Sequence, residues 1–475
     1  MVGSRKQLGA WYTPTDLVDV VVEATITPEF VSSRRHPVSV LDPSCGDGRF
    51  LAAAHHRIES LGATSDLIGC DLDAAAIAAS RVALPAAADL RRADALTTPW
   101  PSQQVDLVIG NPPYLSQMAA ATTRGGTSSR GGGPYADAAV EFLALAGELV
   151  DPDGGRVVLV LPQSLLASRD ATAIRTSIGE RATMVWSWLS DRQVFDAQVH
   201  VCVLAFEFGR AEPDERRSNW SHVVTSRRGV PVVPDGLATE TLLGDRASLN
   251  ANFRDEYYGM IPAVGDHTTG PQLVTSGLID PGHSWWGERP ITFAKQRFDR
   301  PRIDRDQLDD RMVEWSRRRL VPKVLVANQT RIVEAVCDPD GHWLPAVPVL
   351  GVYPTGAHWD DGEHRPVDVL AHAAWEIAAV LTSPLASAWL WHRGAGTGLS
   401  ADTIRLSPVT LAALPWPSGD LSAAVAALAR GDVRACGAGV DRAYGIDDDT
   451  ELFGWWSSLL ERIETRQPGA TPTTP

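Results

Sequence analysis

The residues with the most chemistry in this 475-residue chain are Asn111-Pro112-Pro113-Tyr114. They follow Val105-Asp106-Leu107-Val108-Ile109-Gly110, an apolar run of strand length, which places them at the C-terminal end of a buried strand. Ligands bind at that edge of an open α/β sheet. The prolines restrict the backbone and remove donors, so carbonyl oxygens and the Asn111 amide are left to face outward. Such a site can accept hydrogen bonds from an amino group and stack a flat ring on Tyr114, which suits the exocyclic amine of a base. Asn-Pro alone more often marks a turn. The surrounding elements decide between the two.

Three predicted strands precede the motif, each with an acid at its tip. Val38-Ser39-Val40-Leu41-Asp42 leads into Pro43-Ser44-Cys45-Gly46-Asp47-Gly48, where glycines let the backbone pass close to a ligand and a helix begins facing the same place. The third glycine of a dinucleotide fingerprint is missing, so this loop is weak evidence by itself. Leu67 to Asp71 ends in an acid at the distance downstream that suits ribose hydroxyls. Arg91 to Leu96 carries Asp94. One acid at a strand end is an ordinary turn former; three in succession before Asn-Pro-Pro-Tyr are a pattern. Upstream, Thr13 reads as a helix N-cap, with Pro14 at the first helical position and Asp16 completing a capping box.

This order and spacing resemble the gamma-class N6-adenine DNA methyltransferases, the modification enzymes of type II restriction systems. The resemblance covers residues 8 to 210 well and the remainder loosely. It implies an α/β, Rossmann-like seven-stranded fold that uses S-adenosylmethionine, with a mixed α+β target-recognition domain behind it. By the same resemblance, Tyr12, Thr13 and Pro14 hold the methionine end of the cofactor, and Asp42, Ser44, Gly46 and Gly48 form its first motif. Asp71 takes the ribose hydroxyls and Asp94 the adenine amino group. Asn111, Pro112 and Tyr114 form the catalytic motif, with Asn111 also beside the cofactor. Phe195 corresponds to an aromatic that packs on the flipped-out base; core packing is its alternative. Ser44 and Asp47 stand where many relatives have Ala and Ser.

The rest of the first half is consistent with that sheet. Ala138 to Val150 reads as a helix, Arg156 to Leu161 as a fifth strand, Trp186 to Trp188 as the start of a sixth, and Val199 to Phe208 as an antiparallel seventh. The segment Thr123 to Gly133 carries two arginines that could close over a base, contact phosphate or simply be solvated.

Net charge is −15, yet between Arg289 and Arg331 ten arginines and two lysines face six acids, so the local balance is positive where the total is not. Arg318, Arg319, Lys323 and Gln329 lie in this stretch and are the candidate DNA contacts, each with a solvated surface residue as its alternative. The expected organisation is 1–228 catalytic, 229–417 target recognition, 418–466 helical and 467–475 a disordered tail. Five scattered cysteines argue against a disulfide framework or a cysteine zinc site and fit a reducing cytoplasm. No apolar stretch has the length of a membrane span. The expected partners are double-stranded DNA, bound by a monomer, and a separately encoded restriction endonuclease. Methylation of RNA guanine or protein glutamine, and a non-catalytic DNA-specificity subunit, are the alternatives.

Overall fold

The computed structural model describes residues 13–100, 104–114, 130–133, 136–190, 194, 200–234, 237, 240–252, 254–357, 365–400, 402–446 and 450–465. Tyr12, Phe195 and the tail 467–475 lie outside them, as does most of the segment 123–133. The chain folds as two units, Met1–Val224 and Thr225–Pro475.

In the first unit, short runs of Val, Leu and Ile form the centre of a sheet covered on both faces. Its strands are β1 (Val38–Asp42), β2 (Ser65–Asp71), β3 (Asp89–Arg92), β4 (Leu107–Gly110), β5 (Arg156–Pro162), β6 (Ala182–Leu189) and β7 (Val201–Phe208). They are ordered β3-β2-β1-β4-β5-β7-β6. Strands β1 to β5 run parallel, and β7 is antiparallel to both of its neighbours. Every residue of β4 is buried, as a parallel strand between helical layers requires. Edge strand β6 instead mixes buried, half-buried and exposed residues, which is why only its tryptophans signalled it in the sequence.

Helices α1 (Thr15–Thr25), α2 (Arg49–Ser60), α3 (Ala74–Ala83) and α4 (Ala138–Leu149) complete the frame around the site. Asp73 and Asp137 cap α3 and α4 by accepting from Ala75 and Ala139 N–H. Thr13 does not cap α1: Pro14 occupies the N-cap and makes no side-chain cap bond. The Thr13 hydroxyl is engaged elsewhere. Strand β3 stops at Arg92, so Asp94 lies in the turn that follows it rather than on the strand.

The second unit is built on a four-stranded antiparallel sheet of β8 (Ala247–Ala251), β12 (Lys323–Val326), β13 (Ala335–Asp338) and β14 (Leu350–Pro354), in the order β13-β12-β14-β8. Between β8 and β12 come the short strand β9 (Gln272–Val274), the hairpin β10 (Ile291–Phe293) and β11 (Gln296–Phe298), and helix α5 (Asp310–Arg319). Ile291 and Phe293 are buried in a core shared with Leu273, Met312, Leu325 and Val336. Helix α6 (Val367–Leu381) packs against β12, β13 and β14. Helix α7 (Pro384–Gly394) follows it, and α8 (Ser422–Ala429), α9 (Val433–Ala443) and α10 (Thr450–Glu464) belong to the same unit. Trp456, Leu460 and Ile463 of α10 form a cluster with Ile332. Among the described residues no single helix is long and apolar enough to cross a membrane.

Candidate active site

Strands β1, β2 and β4 end side by side, and the turns leaving them build one edge. The Cys45 N–H donates to the Cys70 carbonyl at 2.9 Å and the Gly46 N–H to Asp71 Oδ2 at 2.9 Å, so the loop after β1 is fastened to the end of β2. Gly48 has φ +83° and precedes α2, while a side chain there would press on Ser80 and Leu84. Left-handed backbone and close packing both demand glycine at this position. A Cβ on Gly110 would collide with the Asp42 carboxylate, so glycine at the end of β4 leaves room for that acid beside the Asn-Pro-Pro-Tyr turn.

Asp42 is 1 % exposed and accepts from Ser44 N–H at 2.9 Å. Burial pushes its carboxyl up to about 8; the Ser44 amide opposes this and the neighbouring Asp71 charge adds to it. No cation pairs with it among the described residues. Asp71 accepts from Gly46 N–H through one oxygen and from Asp73 N–H, at 2.8 Å, through the other. Asp94 accepts from Leu96 N–H at 3.0 Å through Oδ1. Each carboxylate is therefore oriented by the backbone and keeps lone pairs for a ligand. The set suits a cationic ligand with hydroxyl and amino groups.

The Asn111 carboxamide is fixed from two sides. Its Nδ2 donates to Thr13 Oγ1 at 3.0 Å, which sets which way the amide points and makes Oδ1 the acceptor. The Tyr114 hydroxyl donates to that Oδ1 and lies 3.1 Å from the Val160 carbonyl. Tyr114 is 8 % exposed, so in this structure it braces Asn111 rather than presenting an open stacking face. Burial holds its phenol well above the ordinary range.

Arg49 is a site residue that sequence reasoning passed over. Its Nη1 donates to the Thr13 carbonyl, while Nε and Nη2 form a fork on Asp47 at 2.9 and 2.6 Å. Burial would raise the Asp47 carboxyl, but the Arg49 fork outweighs it and holds that carboxyl below its usual range. Thr13 is thus held at its carbonyl by Arg49 and touches Asn111 through its hydroxyl. The signal was present in Asp47-Gly48-Arg49, adjacent to residues already singled out, but the contact spans thirty-six positions. Arg130, one of the two arginines of the segment after the motif, pairs with Glu148 at 3.0 Å and bonds the Leu96 carbonyl.

In the second unit the candidate DNA contacts separate. Lys323 is fully buried and pairs with Asp338, itself 2 % exposed, so it cannot face DNA. Burial pulls its ammonium below the usual range, with Asp338 opposing. Arg319 stacks on Trp315 at 4.6 Å and donates to Asn252, and burial pulls its guanidinium pKa below the usual range as well. Arg318 is exposed but shares Glu314 with Arg317, at 2.9 and 2.8 Å. Gln329 accepts from Leu399 N–H at 3.1 Å, which ties it to the loop before Thr403. These four residues do not form one open basic surface.

Similar solved structures include a provisionally assigned class I S-adenosylmethionine-dependent methyltransferase from Listeria monocytogenes, 20 % identical over 42 % of this chain and 63 % of that one, with a TM-score of 0.36. A modification subunit of a provisionally assigned type I restriction enzyme from Vibrio vulnificus is 20 % identical over 44 % of this chain and 49 % of its own, with a TM-score of 0.35. The methyltransferase subunit of a type I restriction-modification system from Streptococcus thermophilus is 20 % identical over 42 % and 45 %, with a TM-score of 0.34. The chain therefore spans about half to under two thirds of the length of these proteins. Likenesses at this level carry no inference about activity. The family model for N-6 DNA methylases matches residues 3–221, the segment that holds the strand-end acids and Asn-Pro-Pro-Tyr. Over that segment, just under half of the chain, the protein is similar to the N-6 DNA methylases.

Proposed function

We propose that this protein transfers a methyl group from S-adenosylmethionine to the N6 amino group of an adenine flipped out of double-stranded DNA. The observation that carries the reading is the Asn111 carboxamide at the end of β4, turned by Thr13 so that its oxygen is the acceptor. S-adenosylmethionine, when bound, supplies a methyl on a sulfonium sulfur that is already activated for attack. Thr13, Pro14, the buried Asp42 and the loop from Ser44 to Gly48 would hold its charged end, Asp71 its hydroxyls and Asp94 its adenine. A buried carboxyl without a counter-cation is the feature that a positively charged ligand completes.

The adenine amino nitrogen is a poor nucleophile because its lone pair is delocalised into the ring. Asn111 Oδ1 and the Pro112 carbonyl would accept its two hydrogens and favour a pyramidal nitrogen whose lone pair leaves conjugation with the ring. As the N–C bond forms the methyl's C–S bond breaks, and one N–H proton is then lost to solvent. The Tyr114 hydroxyl must give up Asn111 Oδ1 to the amino group, and it retains the Val160 carbonyl when it does. The residues supply orientation and a negative field for charge developing on nitrogen. Within a duplex that nitrogen is out of reach, so the base is flipped. The second unit is assigned to reading DNA, as a monomer on the duplex. A cytoplasmic restriction-modification or phage-defence role, beside a separately encoded endonuclease, fits this chemistry.

Expression in a host lacking DNA methylation, followed by sequencing of modified bases, tests substrate and site together. N6-methyladenine at a defined sequence is expected, and Asn111→Ala should abolish it while cofactor binding persists. Labelled methyl appearing in RNA or protein instead of DNA would overturn the reading.

A further inference from the structure

Among the described residues of the second unit, one group of cations without ion pairs lies on a different element from the arginine run of α5. The hairpin β10–β11 pairs Ile291 with Phe298, Thr292 with Arg297 and Phe293 with Gln296. Ile291 and Phe293 anchor it in the core, which turns Thr292 and Arg297 to the opposite face, where Arg297 is 75 % exposed. The two turn residues, Ala294 and Lys295, have φ of 49° and 65°. A turn of this hand favours glycine or asparagine. This chain instead places at the tip one of its three lysines, another of which, Lys323, is buried.

Three arginines flank the hairpin on tryptophan faces. Arg289 stacks on Trp285 at 4.7 Å, and Arg300 and Arg302 stack on Trp286 at 5.5 and 4.7 Å. The rings themselves are held, because Trp285 Nε1 donates to Asp280 and Trp286 Nε1 to the Pro301 carbonyl. Arg289 and Arg302 each donate to one backbone carbonyl, of Gly277 and Gly270. Nearby acids are few. Asp266 is engaged by the Asp299 and Arg300 amides, Asp299 lies 3.8 Å from Arg297, and Glu288 is exposed. Among the described residues no carboxylate forms an ion pair with Arg289, Lys295, Arg300 or Arg302. In α5, by contrast, Arg317 and Arg318 converge on Glu314.

We propose that the hairpin Ile291–Phe298, with Arg289, Arg300 and Arg302 beside it, is the surface of the second unit that grips the phosphate backbone of duplex DNA. The proposal rests on the reading of this protein as a DNA methyltransferase and says where that reading makes its sequence-independent contacts. Guanidinium groups resting on fixed indole rings are restrained before binding, and their N–H edges match phosphate oxygens two at a time. The narrow, basic two-stranded ribbon has a shape that the major groove admits. Phosphate contacts set register, and base-edge contacts then specify sequence.

The test uses the full chain carrying Lys295→Gln, Arg297→Gln and Arg300→Gln together. Binding to a labelled short duplex is followed across a series of salt concentrations, with labelled S-adenosylmethionine binding measured in parallel. Relative to the unaltered protein, duplex affinity is expected to fall and the slope of log affinity against log salt to shrink by about one per lost contact. Cofactor binding should stay unchanged. The charge-keeping variant Lys295→Arg, Arg297→Lys, Arg300→Lys should restore the slope and part of the affinity, the rest depending on the stacked fork of Arg300. An unchanged affinity and slope in the glutamine variant overturns the proposal. So does a charge-keeping variant as weak as the glutamine one, which would mark a structural role. A larger loss from Arg317→Gln with Arg318→Gln would move the surface to α5, and tighter binding of duplex RNA would reject DNA as the ligand. If the unaltered protein binds no duplex at all, the underlying methyltransferase reading fails instead, and the two failures are distinguishable.

Discussion

Asp42 in the first unit and Lys323 in the second are both ionisable groups at β-strand ends, and both are buried, yet they mean opposite things. Lys323 at the start of β12 meets Asp338 at the end of β13 across an antiparallel pair, and Asp338 also accepts from the His342 and Trp343 amides at 3.0 and 2.9 Å. That charge is matched inside the protein, so it is architecture. Asp42 has one amide donor and other acids for neighbours. No cation among the described residues pairs with it, and the proposed cofactor would bring one. A buried charge marks a binding site when the fold leaves it unmatched, and burial alone does not make that distinction.

The comparison breaks first at the matched pair. Asp338→Ala strands a buried ammonium and should cost about 3–5 kcal/mol of stability, read from urea unfolding. Lys323→Met should cost less, because the His342 and Trp343 amides still satisfy the Asp338 carboxylate. Equal losses from the two variants would show that the amides do not compensate for the missing ammonium.

On the unmatched side, the effect should fall on activity. Thr13→Val and Arg49→Ala each loosen the hold on the Asn111 amide. Turnover is expected to drop about ten- to a hundredfold, the scale of a small misplacement of reacting groups. Cofactor affinity should change much less for Thr13→Val. A turnover within a factor of two of the unaltered protein would detach Thr13 from the site.

The third effect is smaller and concerns pH. The Asp42 carboxyl is raised to about 8 when folded, against 3.8 as its ordinary value. A raised folded value means that this group's stabilising contribution is fully present below pH 3.8 and is lost as pH climbs towards 8. Asp42→Asn should therefore flatten the stability-versus-pH curve between these limits by about 1 kcal/mol per pH unit, measured without cofactor. A curve parallel to that of the unaltered protein would mean that the carboxyl is not poised as the geometry indicates.

The smallest effect is expected on α5. Arg317→Gln with Arg318→Gln removes exposed pairs to Glu314, and pairs of this kind contribute little to stability. No resolvable change in Tm is expected. A clear drop would show that the pairs do more than solvate the helix end.

Much of the first unit could be read from its residues because the information was local. Val38 to Asp42 has the apolar run and terminal acid of a buried parallel strand, and the structure ends β1 on that same acid. Asn111 follows a fully buried β4 for the same reason. Edge strand β6 was harder to see because one of its faces is solvated and its apolar signal is diluted. The second unit was read least well where charge was counted by position in the chain. Arg318, Arg319 and Lys323 are close in sequence, but one is neutralised at the surface, one is packed on Trp315 and one is sealed in a buried pair.

The sequence by itself determined where β1, β2 and β4 end, with Asp42 and Asp71 on the first two and Asn-Pro-Pro-Tyr after the third, because strand period and turn residues are properties of neighbouring residues. Tertiary structure alone decided that the Thr13 hydroxyl serves Asn111 rather than the helix it precedes, that Arg49 holds Thr13, and that Tyr114 braces the amide. It also decided which cations remain open to a partner. Each of these depends on which distant group arrives within about 3 Å, and hydrogen bonds and ion pairs of that length are set by the packing of whole elements.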